Sequence, residues 1–145
     1  MLVVYANDAH DPDDKEFENW PIHAVAGTYG AQVIDDLMPS DKNKVIEKQD
    51  IGVFTNPETD MLLKQYGIDE LVVAGVATEY CVRGVSVTDK DKYGHMMKAA
   101  IDLGYKVNLV VDAIAGVDIQ KGDQFRALLE MGNAGVKPMY TAKVL

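Results

Sequence analysis

The stretch "LVVAGVATEYCVRGV", Leu71 to Val85, holds the only cysteine of the chain, Cys81. With Glu70 before it, the apolar run "ELVVAGV" has no polar alternation and reads as a strand buried on both faces. A small turn follows, and "CVRGVSV" can open a helix. A thiol at a helix N-terminus feels the partial positive charge of unpaired N–H groups, which favours thiolate. Free cysteine is also among the most buried residue types. The pattern alone balances Cys81 evenly between packed core thiol and nucleophile.

Strand and helix signals alternate on either side. "LVVYA", Leu2 to Ala6, is a short β-branched run ended by the turn residues of "NDAHDPDD". "GAQVIDDLMP" sets Ala31, Val33, Ile34 and Leu37 at helical spacing, with Pro39 as the stop. "KVIEK", Lys44 to Lys48, reads as a strand. "NPETDMLLKQYGI" reads as a helix with Pro57 in its first turn, an apolar face of Met61, Leu62, Leu63 and Tyr66, and Gly67 at its end. "MMKAAIDLGY" predicts a helix closed by Gly104, "KVNLVVDAI" a buried strand, "GDQFRALLEMGNAG" a helix and "KPMYTAKVL" a last strand. The alternation predicts an α/β fold of three layers, a mostly parallel Rossmann-like sheet with helices on both faces.

Sites in such sheets gather at the carboxyl ends of the strands. The polar strand endings here are Asn7, Asp8 and His10, then Lys48, then Thr78 to Cys81, then Asp112. Asp8 and His10 alternate as strand neighbours do, so both can face one ion, and His23 in "WPIHAVAGT" can join them. Such a set suits a divalent transition metal, and Glu16 offers a further oxygen. D-x-H is a weak signal, and an Asx-turn at Asp8 with two surface histidines is the commoner meaning of the pattern. Asp11, Asp13, Asp14 and Glu16 lack the spacing and the glycine of a calcium loop and read as solvated charge. His95, in "KYGHMMK", has no partner in sequence and reads as an exposed helix residue.

The 145 residues suffice for one domain, 1–145, with a sizeable core, and 48% of them are hydrophobic. No run is apolar and long enough for a membrane span, and the start turns acidic too early for a signal peptide. One cysteine allows no internal disulfide, which fits a reducing cytoplasm. A net charge of −9 repels phosphates and anionic lipid, so neither nucleic acid nor membrane is an expected partner.

Together these residues resemble the isochorismatase-like cysteine hydrolases, and within them the nicotinamidases. "VAGVATEYCV" is similar to the family's nucleophile segment, which implies a cis peptide at Val76–Ala77, Cys81 as nucleophile and an oxyanion turn at Val76, Ala77 and Cys81. "VIEKQDIGVF" is similar to the segment of the catalytic lysine, which implies Lys48. "NDAHDPDDKEFENWPIHAVAGTYGA" is similar to the metal segment, implying Asp8, His10 and His23 as ligands. Glu16 falls where relatives often reach the metal through water. Zinc is the first expectation, with manganese or iron as alternatives. Trp20 and Tyr80 match positions that flank the substrate ring. The resemblance implies hydrolysis of a small amide, nicotinamide above all, through a Cys81 thioester, and a homo-oligomer. A ureido or aliphatic amide is the alternative substrate.

The sequence departs from the family in two places. The family's general acid/base is an aspartate ending its first strand, and no residue here matches that position. The chain reads as starting at the second strand, so that a strand and crossover of about 30 or more residues are expected upstream of an internal Met1. The missing acid favours, as a further alternative, a catalytically silent protein that binds a ligand or partner. The second departure is "TDKDKYGH", Thr88 to His95, an insertion after Cys81. It predicts a longer helix or an excursion near the site.

Overall fold

The computed structural model describes residues 1–144. Strands β1 (Val4–Asp8) and β2 (Lys44–Lys48) pair in parallel, from Val4 opposite Lys44 to Asp8 opposite Lys48. This register carries β1 two residues past Ala6, so Asp8 ends the strand instead of following it. β3 (Glu70–Val76), β4 (Lys106–Ala115) and β5 (Lys137–Met139) form a second parallel sheet in that order. The α/β class with parallel strands matches the expectation. The described strands form two sheets, with no pairing between β1 and β3 among the described residues.

Three α-helices accompany the strands among the described residues. Helix α1 (Pro57–Gln65) starts where the Asn56 side chain accepts the Glu58 N–H at 3.0 Å, and Pro57 takes a first-turn position that needs no donor. Gly67, at φ +64°, ends it in the left-handed region that glycine enters most easily. Its inward face is Thr59 and Leu63, whereas Met61 and Tyr66 are exposed, contrary to the predicted apolar face. Helix α2 (Arg83–Ser86) is a single turn, and α3 (Asp123–Asn133) buries Ala127 and Met131. The core joins Leu63, Val82, Tyr105, Val107, Leu109 and Met131. No described helix is long and apolar enough to cross a membrane.

Several local expectations are corrected. β3 is not buried on both faces: Val72 and Val76 are 45% and 69% exposed, because no described element covers that side. "GAQVIDDLMP" forms only two 3₁₀ turns, Tyr29–Ala31 and Asp35–Leu37. Ile34 and Leu37 stay exposed, and so short a segment has no buried face to hold it helical. "MMKAAIDLGY" also collapses to a single turn. The Asp102 carboxylate accepts the Ala99 N–H at 2.9 Å, and Gly104, at φ +89°, stops the turn at once. The last strand is cut short because Asp112 accepts both the N–H and the hydroxyl of Thr141, at 2.9 and 2.8 Å. This draws the chain into the 3₁₀ turn Thr141–Lys143.

Candidate active site

Cys81 lies inside a π-helical turn, Thr78–Val82, and does not open a helix as expected. The N–H groups of Tyr80 and Val82 both donate to the Ala77 carbonyl at 3.1 Å, which folds the turn tightly on the end of β3. The Val76–Ala77 peptide bond just before it is cis. Glu79 in the same turn accepts the N–H groups of Val117 and Asp118, at 2.8 and 2.6 Å, and so ties it to the loop after β4.

Lys48, at the end of β2, is 4% exposed. Its ammonium donates to the Asp8 carboxylate across the β1–β2 pair, to the Asp50 carbonyl at 2.9 Å and to Cys81 Sγ at 3.2 Å. All three protons of the buried cation are thereby satisfied. Cys81 Sγ in turn stands 3.8 Å from Asp8 Oδ2. Burial would lower the Lys48 pKa, but the charges of Cys81 and Asp8 outweigh it and hold the ammonium above its ordinary value. Burial pushes the Cys81 thiol up. Lys48 opposes this and Asp8 adds to it, and the net effect is a raised pKa. The thiol is therefore mostly protonated near neutrality, with a carboxylate beside it.

This placement of Asp8 differs from the sequence expectation, which grouped it with His10 and His23. Its carboxylate is drawn to the buried Lys48 ammonium. The ligand atoms that converge are those of His10, Glu16 and His23, all within 4.8 Å of one another. Glu16, expected only as an extra oxygen, stands between the imidazoles, 3.8 Å from His10 Nε2 and 3.7 Å from His23 Nε2. His23 Nδ1 lies 2.7 Å from the Pro21 carbonyl, which can only accept, so Nδ1 carries the proton. His10 Nδ1 lies 3.0 Å from the Asp14 carboxylate and is protonated by the same logic. The Nε2 atoms of both rings face the Glu16 carboxylate. His10 Nε2 is buried with no hydrogen-bond partner. Two imidazole nitrogens and a carboxylate directed at one point are suited to a cation, and a carboxylate holding the far nitrogen is how ligating histidines are commonly oriented.

Asp14 was expected to be solvated, yet its side chain is 1% exposed. Burial alone would raise its pKa, but the Glu16 N–H, Lys92 and His10 hold it at about 2. Phe17, also missed, packs edge-on against both imidazoles, with centroids at 5.6 and 5.7 Å. The clearest available signal was the aspartate two residues before Glu16, since a short acidic side chain there caps the 3₁₀ turn Lys15–Glu18. Trp20 and Tyr80 meet edge to face at 5.4 Å, which brings the two expected ring-flanking residues together next to Cys81. Asp112 is occupied by Thr141 and takes no part. His95 is exposed as expected, but on a loop, paired with Asp91 at 3.1 Å.

The Isochorismatase domain model matches residues 1–143, and the chain belongs to that family. It is 34% identical over 134 residues to a nicotinamidase of Escherichia coli K12, covering 84% of this chain and 57% of that protein. A nicotinamidase of Saccharomyces cerevisiae is 32% identical over 123 residues, covering 71% of this chain and 52% of that protein. The chain thus spans a little over half the length of these curated relatives. A solved pyrazinamidase of Pyrococcus horikoshii in complex with zinc superposes with a TM-score of 0.80 at 30% identity, over 97% of this chain and 75% of that one.

Proposed function

We propose that the chain carries the active site of a cysteine amidohydrolase acting on a small amide, nicotinamide first, with Cys81 as nucleophile. One observation carries this: a buried cation, a thiol and a carboxylate from the ends of three strands meet within 3.8 Å. The similarity to nicotinamidases supports the substrate class.

Because the thiol is neutral at rest, attack and deprotonation must be coupled. Asp8 is the carboxylate in reach. As Cys81 Sγ bonds to the amide carbonyl carbon, its proton passes to Asp8 and the carbonyl π electrons move onto oxygen. The backbone N–H groups of Ala77 and Cys81 would hold that oxyanion. Asp8 returns the proton to the nitrogen as the C–N bond breaks, and ammonia leaves a Cys81 thioester. Water then attacks the thioester, gives its proton to Asp8, and the released sulfur recovers it. Lys48 stays charged throughout and stabilises negative charge on sulfur. Asp8 would therefore supply the acid/base function for which the sequence offered no matching position.

His10, Glu16 and His23 would hold a divalent metal, zinc foremost, which when bound would orient the substrate by binding a ring nitrogen. Trp20 and Tyr80 would flank an aromatic ring. The test is ammonia release by zinc-loaded protein from nicotinamide, a ureido compound and an aliphatic amide. Turnover of nicotinamide that disappears in Cys81→Ala is expected. Preference for a non-aromatic substrate would replace nicotinamide, and no turnover of any amide would overturn the proposal.

A further inference from the structure

The excursion Thr88–His95 is the part of the chain that neither the fold nor the proposed chemistry has absorbed. It is an ordered loop. Asp91 accepts the N–H groups of Tyr93 and His95, at 2.9 and 2.7 Å, and its own N–H donates to the His95 carbonyl at 2.8 Å. Gly94, at φ +85°, makes the reversal. Lys92 stands at the tip of this loop, and its side chain is only 11% exposed.

Lys92 touches both arms of the candidate site. Its ammonium pairs with Asp14 Oδ2, the same oxygen that faces His10 Nδ1, and donates to the Gln49 carbonyl at 3.1 Å. Its backbone N–H donates to the Asp50 carboxylate at 3.2 Å, and the Asp50 carbonyl receives Lys48. Asp14 Oδ1 is taken by the Glu16 N–H at 2.9 Å. The described donors to the buried Asp14 carboxylate are thus the Glu16 N–H, His10 Nδ1 and Lys92, and Lys92 brings a full charge. A buried carboxylate stripped of its cation is unfavourable and rearranges.

We propose that Lys92 is a positioning residue for the His10, Glu16 and His23 centre. It locks Asp14, Asp14 sets the ring of His10, and Nε2 is thereby aimed beside Glu16. The excursion is then a strut that completes the outer layer of the centre and ties it to the Lys48 loop. This rests on the metal-binding part of the proposed function, though not on turnover.

The test is zinc affinity, read by competition with a chromophoric chelator, together with the visible absorption of the cobalt-substituted protein. Lys92→Met is expected to weaken zinc binding roughly 10–100-fold, the usual effect of losing an outer-layer partner, and to alter the cobalt spectrum. Lys92→Arg keeps the charge and is expected to restore most of the affinity. Should Lys92→Met fail to fold, Asp14→Asn makes the same cut in the chain of contacts and carries the same expectation. Unchanged affinity and an unchanged cobalt spectrum in a folded variant would overturn the proposal, as would a loss that Lys92→Arg does not recover. A wild-type protein that takes no zinc would overturn it along with the metal reading. A protein that binds zinc but hydrolyses nothing would remove the amidase proposal alone.

Discussion

Cys81 sits between a cation and an anion that pull its proton in opposite directions. Lys48 favours thiolate, while burial and Asp8 favour thiol, and the second group prevails. The raised pKa has a definite sign. Its contribution to folding stability is fully present below the unfolded thiol's value and is lost as pH rises through the higher folded value. The rate of Cys81 alkylation against pH should have its midpoint above the ordinary thiol range. Asp8→Asn removes one negative neighbour, so that midpoint should fall and alkylation near neutrality should quicken. Amide turnover in the same variant should drop about 10²–10⁴-fold, the usual cost of losing a general acid/base. A reactive thiol that no longer turns over separates a proton-transfer role from a structural one. If turnover survives in Asp8→Asn, Asp8 is not the acid.

The residues legible in the sequence were those whose type already suggested chemistry: Cys81, Lys48 and His10 near strand ends, and His23 in the loop that follows. Asp8 was found, and the structure sets its carboxylate against Lys48. The spacing of D-x-H describes which way side chains leave a strand, not which neighbour holds the stronger charge. Asp14 and Lys92 were illegible for a different reason. They lie 78 residues apart in sequence, and each is a plain surface charge until the other buries it.

Among the elements, Gly84 sets the approach of α2 to the loop after β2. A methyl group there would stand 2.7 Å from Ile51 Cγ2 and 2.9 Å from the Ile51 carbonyl oxygen. Only a residue without a side chain lets these two backbones come so close. Gly84→Ala should cost about 1–3 kcal/mol by overpacking, measured by denaturant unfolding. It should also part Lys48 from Cys81, weakening the one contact that lowers the thiol pKa, so Cys81 alkylation at a fixed pH should slow. Lower stability with unchanged alkylation would mean that this contact does not gauge the Lys48–Cys81 distance. Elements with a cap, a buried helix face or a strong apolar run, such as α1, α3 and β4, were legible in the sequence. The segments "GAQVIDDLMP" and "MMKAAIDLGY" were not, because helical spacing describes a face without saying whether anything lies against it.

At the scale of the molecule, the expected parallel α/β plan is present, and the described strands fall into two parallel sheets. Between the two sheets run the contacts of the candidate site: Lys48 to Cys81, Lys92 to Asp14, and Trp20 to Tyr80. The parts of the candidate site are thus joined by side-chain contacts. Local opening takes such regions first. On heating, catalytic activity should disappear at a lower temperature than the far-ultraviolet circular dichroism of the strands and helices, and the two transitions should move together as zinc is added. Coincident transitions without metal would show that the sheets melt as one body.

A site held by side-chain contacts also changes how damage to this protein would present itself. Where backbone pairing alone fixes a site, a weakening substitution lowers the amount of folded protein and leaves each survivor fully competent. Here the first thing to slacken is the alignment of the reacting groups. A population of such molecules would look intact by size and secondary structure while having lost its rate. Fitness effects of mutations far from Cys81 would then follow their effect on this junction more closely than their effect on overall stability.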